Sequence, residues 1–193
     1  AWHGRSPPVR LPQVHHSQTQ WEQDHHGSQP QTEAPSAVDL SEYLDPKRSF
    51  PVYHGFVPER SVVTNAILHI GYAYTYCVDI TDFFPSITKK QVLPIFRNMG
   101  YSGSAANTLC DLCCYDGVLP QGAPTSPYLS NMICRDLDDE LGAMARRFRG
   151  IFTRYADDIA ISTNQQQPQL LDALGLILGK HGFLMNLDKC RVY

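Results

Sequence analysis

Aspartates stand at two places in this 193-residue chain at the ends of mainly apolar and aromatic runs, and acids so placed can do metal chemistry. Asp79 follows the run Tyr74-Thr75-Tyr76-Cys77-Val78. Asp157 and Asp158 lie between Ile151–Tyr155 and Ile159–Ser162. Adjacent acids at strand ends repel one another and lose solvation, and a divalent cation is the natural compensation. Three carboxylates converging from neighbouring strands would hold two Mg²⁺ ions ~4 Å apart, the arrangement that serves phosphoryl transfer. One ion would lower the pKa of an attacking hydroxyl; the other would stabilise a leaving pyrophosphate. Taken alone, an Asp-Asp dipeptide is also an ordinary turn. The equally acidic run Asp136, Asp138, Asp139 and Glu140 is assigned to a solvated helix face.

Strands and helices must position those acids. Tyr74–Val78 reads as a strand through its aromatic and β-branched content. Ile151–Tyr155 and Ile159–Ser162 read as short strands joined at Ala156-Asp157-Asp158. Ser61–Gly71 reads as a helix with Val62, Val63, Ala66, Ile67 and Ile70 on one apolar face. Thr88 caps a second helix reaching Met99, with Val92, Ile95, Phe96 and Met99 at helical spacing. Further helices are expected over Ser104–Tyr115, from Pro124 to about Phe148, and over Pro168–His181, and a last strand from Cys190 to Tyr193. The order predicts an α+β domain, with helices packed on one face of a small antiparallel sheet.

Residues 1–49 have a different composition, rich in Pro and Gln, with His15-His16 and His25-His26 and almost no apolar periodicity. Such a segment buries too little apolar area to offset its ordering entropy, so a disordered or poorly ordered leader is expected there. The His pairs are read as polar low complexity. The formal charge of −3 excludes a globally basic nucleic-acid binder but not a local basic surface. No apolar run reaches the ~18 residues of a membrane span. Six cysteines within apolar stretches point to reduced thiols and a cytoplasmic setting. Cys110, Cys113 and Cys114 lack the second Cys or His pair of a zinc finger. The chain opens on Ala rather than Met and is expected to be a piece of a longer product.

The flanking residues add a resemblance. Tyr155-Ala156-Asp157-Asp158 resembles the Tyr-x-Asp-Asp box of reverse transcriptases, in the Tyr-Ala-Asp-Asp form of bacterial retron and group II intron enzymes. Val78-Asp79-Ile80-Thr81-Asp82-Phe83-Phe84-Pro85-Ser86-Ile87 resembles their first catalytic box. Leu119-Pro120-Gln121-Gly122-Ala123-Pro124-Thr125-Ser126-Pro127, with Ser130-Asn131, resembles the box between them. His54-Gly55-Phe56 through Arg60-Ser61 to Asn65-Ala66 and His69 is similar to the upstream segment of retron-type enzymes. Gly182-Phe183, Asn186 and Lys189 fit the box after the Asp-Asp hairpin. These boxes stand in the family's order and span residues 53–193.

The resemblance implies the palm of a right-hand polymerase over residues 73–193, a partial fingers segment over residues 50–72, and no thumb. It makes Asp79, Asp157 and Asp158 the metal-binding carboxylates, with the Ile80 carbonyl as an extra ligand and Mn²⁺ able to replace Mg²⁺. It places Phe84 beneath the sugar, as a gate against a 2′-hydroxyl. Gln121 and Gly122 would contact the incoming nucleotide and template. Lys189 matches a lysine that assists pyrophosphate departure, although it also reads as a surface lysine. Arg60 would steer the triphosphate or a template phosphate. Arg146, Arg147, Arg149 and Arg154 would contact backbone phosphates or solvate a helix end. The implied partners are an RNA template, a DNA or RNA primer, deoxynucleoside triphosphates and a partner chain supplying thumb or fingers, with no membrane. Retron antiviral defence and intron mobility are the settings that go with such enzymes. Two alternatives stand beside this reading. A nucleotidyl cyclase would share the palm but lack the Pro-Gln-Gly box and Phe84. A degenerate or split fragment would bind nucleic acid or protein without catalysis.

Overall fold

The computed structural model describes residues 52–193, and the leader expected over residues 1–49 lies outside the described residues. Four strands, β1 (Tyr74–Thr81), β2 (Ile151–Tyr155), β3 (Asp158–Thr163) and β4 (Leu184–Val192), form one antiparallel sheet in the order β2-β3-β1-β4. The strand that carries Asp79 therefore lies inside the sheet, between β3 and β4. Among the described residues seven helices accompany it: α1 (Val62–Ile67), α2 (Phe83–Ser86), α3 (Lys89–Asn98), α4 (Gly103–Cys113), α5 (Ser126–Ile133), α6 (Arg135–Arg147) and α7 (Leu170–Lys180).

The sheet contributes Tyr76, Val78, Ile80, Phe152, Ile159 and Ile161 to a single apolar cluster. Helices close it with Val92, Cys110, Leu129, Leu137, Leu141, Leu174 and Leu178. Burying one such leucine is worth about 1.5–3 kcal/mol, so α6 and α7 anchor the sheet face through five of them, counting Leu170. Local signals start several helices. Ser61 and Thr64 form a reciprocal cap on α1, and Thr88 with Gln91 does the same on α3. This is the α+β palm-like arrangement expected, with three differences in detail.

The helix expected over 61–71 is only six residues long, and Val62, Val63, Ile67 and Ile70 are all exposed rather than packed inward. His69 explains the turn of the chain. Its Nδ1 pairs with Ser162 Oγ at 2.7 Å and its Nε2 with Thr153 Oγ1 at 2.7 Å, so the polar side of this segment meets the sheet. The long helix expected from Pro124 is two helices, because Cys134 leaves helical geometry at φ −77, ψ 1. The last strand starts six residues before its expected position at Cys190. Met185-Asn186-Leu187-Asp188-Lys189 has poor strand propensity, and main-chain pairing with β1 holds it extended.

Candidate active site

β1 and β3 bring Asp79 directly opposite Asp158 in their antiparallel register. Facing residues in such a pair have Cβ atoms only about 4.5–5.5 Å apart, and like charges there repel. Asp157 lies in the β2–β3 turn, and its carbonyl accepts from the Ile80 amide at 3.0 Å. On the other flank Asp79 faces Asn186 of β4. Asn186 Nδ2 donates to Asp79 Oδ1 at 3.1 Å, and Lys189 Nζ donates to Asp79 Oδ2 at 3.1 Å. The second contact depends on an irregularity in β4. Cys77 faces Arg191 while Asp79 faces Asn186, so β4 spends extra residues between the two pairs and loops Lys189 back toward Asp79.

The electrostatics follow from this crowding. Partial burial, then Asp157, then Asp79 push the Asp158 carboxyl above its ordinary pKa, while Lys189 pulls it back. Asp79 itself is 8 % exposed. The hydrogen bond to Asp79 holds the exposed Lys189 ammonium above its usual value. Among the described residues no group of three His, Cys, Asp or Glu side chains stands ready to hold an ion as placed. Both Asp79 oxygens are already engaged by Asn186 and Lys189.

A buried ionic network supports the turn. Arg154 on β2 is 0 % exposed and forms a two-pronged bridge to Asp138 of α6, Nε–Oδ1 at 2.6 Å and Nη2–Oδ2 at 2.7 Å. Its Nη1 reaches the Ala156 carbonyl at 3.0 Å and Asn131 Oδ1 at 3.2 Å. Burial works against the Arg154 charge, but Asp138 more than offsets it and raises the guanidinium pKa. Two sequence readings are corrected here. Asp138 is not on a solvated face, because Cys134, Asp138, Leu141 and Ala145 share the buried stripe of the helix. Arg154 is not available to phosphates, because all of it is inside. The i, i+4, i+7 spacing from Cys134 was the signal that marked Asp138 as inward.

The remaining candidates surround this centre. Of the six described non-glycine residues with positive φ, Ala156 (57°), Asp82 (46°) and Phe56 (63°) lie on the segments flanking the aspartates and Phe84, where strained backbone often marks function. Asp82 precedes α2, which aims Phe83 inward at 4 % exposure and leaves Phe84 half-buried. The Phe84 ring lies 5.3 Å from Phe83 and 6.2 Å from Phe56. Gln121 and Gly122 are exposed in the turn before α5, with Gly122 at φ +88. Ser126 Oγ closes that turn on the Pro120 carbonyl at 2.7 Å. Arg60 donates to the Tyr53 carbonyl at 2.5 Å, and its guanidinium lies 5.8 Å over the Tyr53 ring. Asn186 and Asn131 stand in the resembling boxes but were given no role, because an asparagine's chemistry is set by partners the sequence does not show. The six cysteines are free thiols. Arg147 and Arg149 line a cleft with Asn164, Gln165 and Gln167, at the end of the β2–β3 hairpin away from the aspartates.

Known proteins resemble the chain in fold and in sequence. The telomerase of Candida albicans, solved with a TWJ fragment of telomeric RNA, superposes with a TM-score of 0.56 at 12 % identity, covering 80 % of this chain and 34 % of that one. The retron Ec86 reverse transcriptase of Escherichia coli is 38 % identical over 152 residues, covering 78 % of this chain and 48 % of the relative. The retron Mx162 reverse transcriptase of Myxococcus xanthus is 35 % identical over 170 residues, covering 72 % of this chain and 35 % of the relative. The chain thus spans about half or less of the length of these relatives. The family described as reverse transcriptase (RNA-dependent DNA polymerase) matches residues 32–193. With the facing aspartates and the Tyr-Ala-Asp-Asp turn, these matches place the chain in the reverse transcriptase family, among the retron-type members.

Proposed function

We propose that this chain is the catalytic palm of an RNA-directed DNA polymerase that adds deoxynucleotides to a primer 3′-hydroxyl on an RNA template. The observation that carries the reading is the Asp79–Asp158 pair, set face to face on neighbouring strands beside Asp157. The primer oxygen bonds to the α-phosphorus, the α–β phosphoanhydride bond breaks, and pyrophosphate leaves.

The donor set fits hard divalent cations. It consists of carboxylate oxygens and the Ile80 carbonyl, and its members repel one another without a countercharge. Asp79, Ile80, Asp157 and Asp158 would hold Mg²⁺, or Mn²⁺ in its place. When bound, the ions lower the pKa of the primer hydroxyl and neutralise charge on the leaving group. Lys189 holds the place of a cation against Asp79 and, once released, supplies a proton to the departing pyrophosphate. Phe84 sits beneath the sugar and excludes a 2′-hydroxyl by bulk. Gln121 and Gly122 let the nucleotide and template approach the exposed turn. Arg60 spends one of its five donors on Tyr53 and offers the rest to phosphate. The whole protein works in the cytoplasm, with further segments or a partner chain completing fingers and thumb.

Primer extension on an RNA template with Mg²⁺ tests the assignment. The full-length protein is compared with an Asp157→Ala, Asp158→Ala double variant. Extension by the parent and none by the variant is expected; equal extension by both overturns the site. Phe84→Ala is expected to raise ribonucleotide incorporation, and unchanged discrimination would remove Phe84 from the reading.

A further inference from the structure

Asn131 occupies a crossing to which the polymerase reading gives no role. It lies on α5 at 3 % exposure, away from the aspartates in sequence but tied to them in space. Its Oδ1 accepts from Arg154 Nη1 at 3.2 Å, and the same Nη1 donates to the Ala156 carbonyl beside Asp157 at 3.0 Å. Its Nδ2 donates to the Gly55 carbonyl at 2.9 Å. Both neighbours dictate the same amide orientation, since a reversed amide would set N–H against guanidinium and oxygen against carbonyl.

Gly55 is pressed against the same turn. A Cβ there would lie 2.4 Å from the Ala156 amide nitrogen, so the two backbones touch. The next residue, Phe56, is held at φ +63, and its ring leans on Phe84 with centroids 6.2 Å apart. One amide side chain therefore links the Asp157 turn to the loop that buttresses Phe84. Only a group carrying both an acceptor and a donor can make this bridge. Asp would oppose a carboxylate to the Gly55 carbonyl, and Ala would leave both partners unmet.

We infer that Asn131 is a positioning residue for nucleotide selection: bridging Arg154 and Gly55, it fixes Phe56 against Phe84 and so sets the shape of the site beneath the sugar. The inference rests on Phe84 lying under the sugar, as proposed above.

The test uses the full-length protein on an RNA template, with kcat and KM measured separately for one deoxynucleotide and its ribonucleotide. Asn131→Ala is expected to lower the deoxy-to-ribo ratio of kcat/KM by about five-fold or more, a change in discrimination rather than in rate alone. A merely structural loss would slow both nucleotides alike. Phe84→Ala is expected to move the ratio in the same direction. The double variant should match Phe84→Ala alone, because both act through one contact. A ratio unchanged in Asn131→Ala, or a double variant whose effect is the product of the singles, overturns the inference. Should Asn131→Ala fail to fold, Phe56→Leu tests the same link from a ring that is 40 % exposed, with the same two outcomes. An inert parent, or an Asp157→Ala, Asp158→Ala variant as active as the parent, overturns the polymerase reading and this inference with it. An active parent with an unchanged ratio overturns this inference alone.

Discussion

Replacing Asp138 by alanine should be among the most damaging single changes to this fold, although the sequence places it in a run of acids that looks dispensable. The substitution leaves Arg154 charged and 0 % exposed, with no carboxylate opposite it. Breaking a buried pair by removing one partner costs about 3–5 kcal/mol. A second route gives the same order. Two charge-assisted hydrogen bonds, at 2.6 and 2.7 Å, are lost at about 1.5–3 kcal/mol each. Urea unfolding followed by far-UV circular dichroism reads the effect. With a slope of about 2 kcal/mol/M, the midpoint should fall by about 1.5–2.5 M. The more exposed pair Glu140–Lys180, at 2.8 Å, serves as control; Glu140 also meets His181 at 2.9 Å, and Glu140→Gln should shift the midpoint far less than Asp138→Ala does. If Asp138→Ala shifts the midpoint by less than about 0.5 M, the buried charge is being met some other way and the reasoning fails.

Other perturbations read other parts of the same structure. Gly55→Ala puts a methyl 2.4 Å from the Ala156 backbone, which cannot swing aside as a side chain would; a loss of about 1–3 kcal/mol and a larger proportional loss of extension rate are expected, and wild-type kcat would contradict them. Burial lowers the His54 and His69 pKa values, helped by Arg60 at His54 and by His54 at His69. With the folded values below the unfolded ~6.5, their contribution to stability is full above that pH and is lost as pH falls through the folded values. Melting curves between pH 7.5 and pH 5 should show this loss, and a His69→Gln variant should flatten it. Lys189→Gln removes the ammonium that competes for Asp79, so half-maximal extension should need less Mg²⁺; an unchanged Mg²⁺ titration would argue that the Lys189–Asp79 contact does not govern ion entry.

How much of this was legible beforehand depended on how local each determinant is. The placement of Asp79 beside Asp158 was legible because the strands around them carry strong β-forming residues, while the flanking boxes, rather than the acids alone, singled them out from an ordinary turn. The cap at Thr88 is written within four residues and was read correctly, whereas Ser61, read as the first helical residue, is the cap of α1. α1 was misjudged because its apolar spacing is real, while the contact deciding its orientation, His69 to Ser162 and Thr153, spans more than 80 residues. Asp138 and Arg154 were misread for a related reason. The spacing from Cys134 did mark Asp138 as inward, but Arg154 looks like a surface charge until Asp138 is beside it, and nothing in either neighbourhood names the partner. The first six residues of β4 escaped notice because their pairing, rather than their propensity, makes them a strand.

The position of β1 inside the sheet has a consequence for how the protein is made. The ribosome delivers Tyr74–Thr81 before its partners: Thr75 finds its side-chain partner Ser162 only 87 residues later, and Asp79 meets Lys189 after 110. For that interval an aromatic, β-branched strand has two unpaired edges, the condition in which nascent chains associate with one another. The intervening α3, α4 and α5 are made of local contacts that form fast, and they can shelter one face of β1 while it waits. Synthesis rate and chaperone supply should therefore govern the soluble yield of this protein more than the stability of the finished fold does.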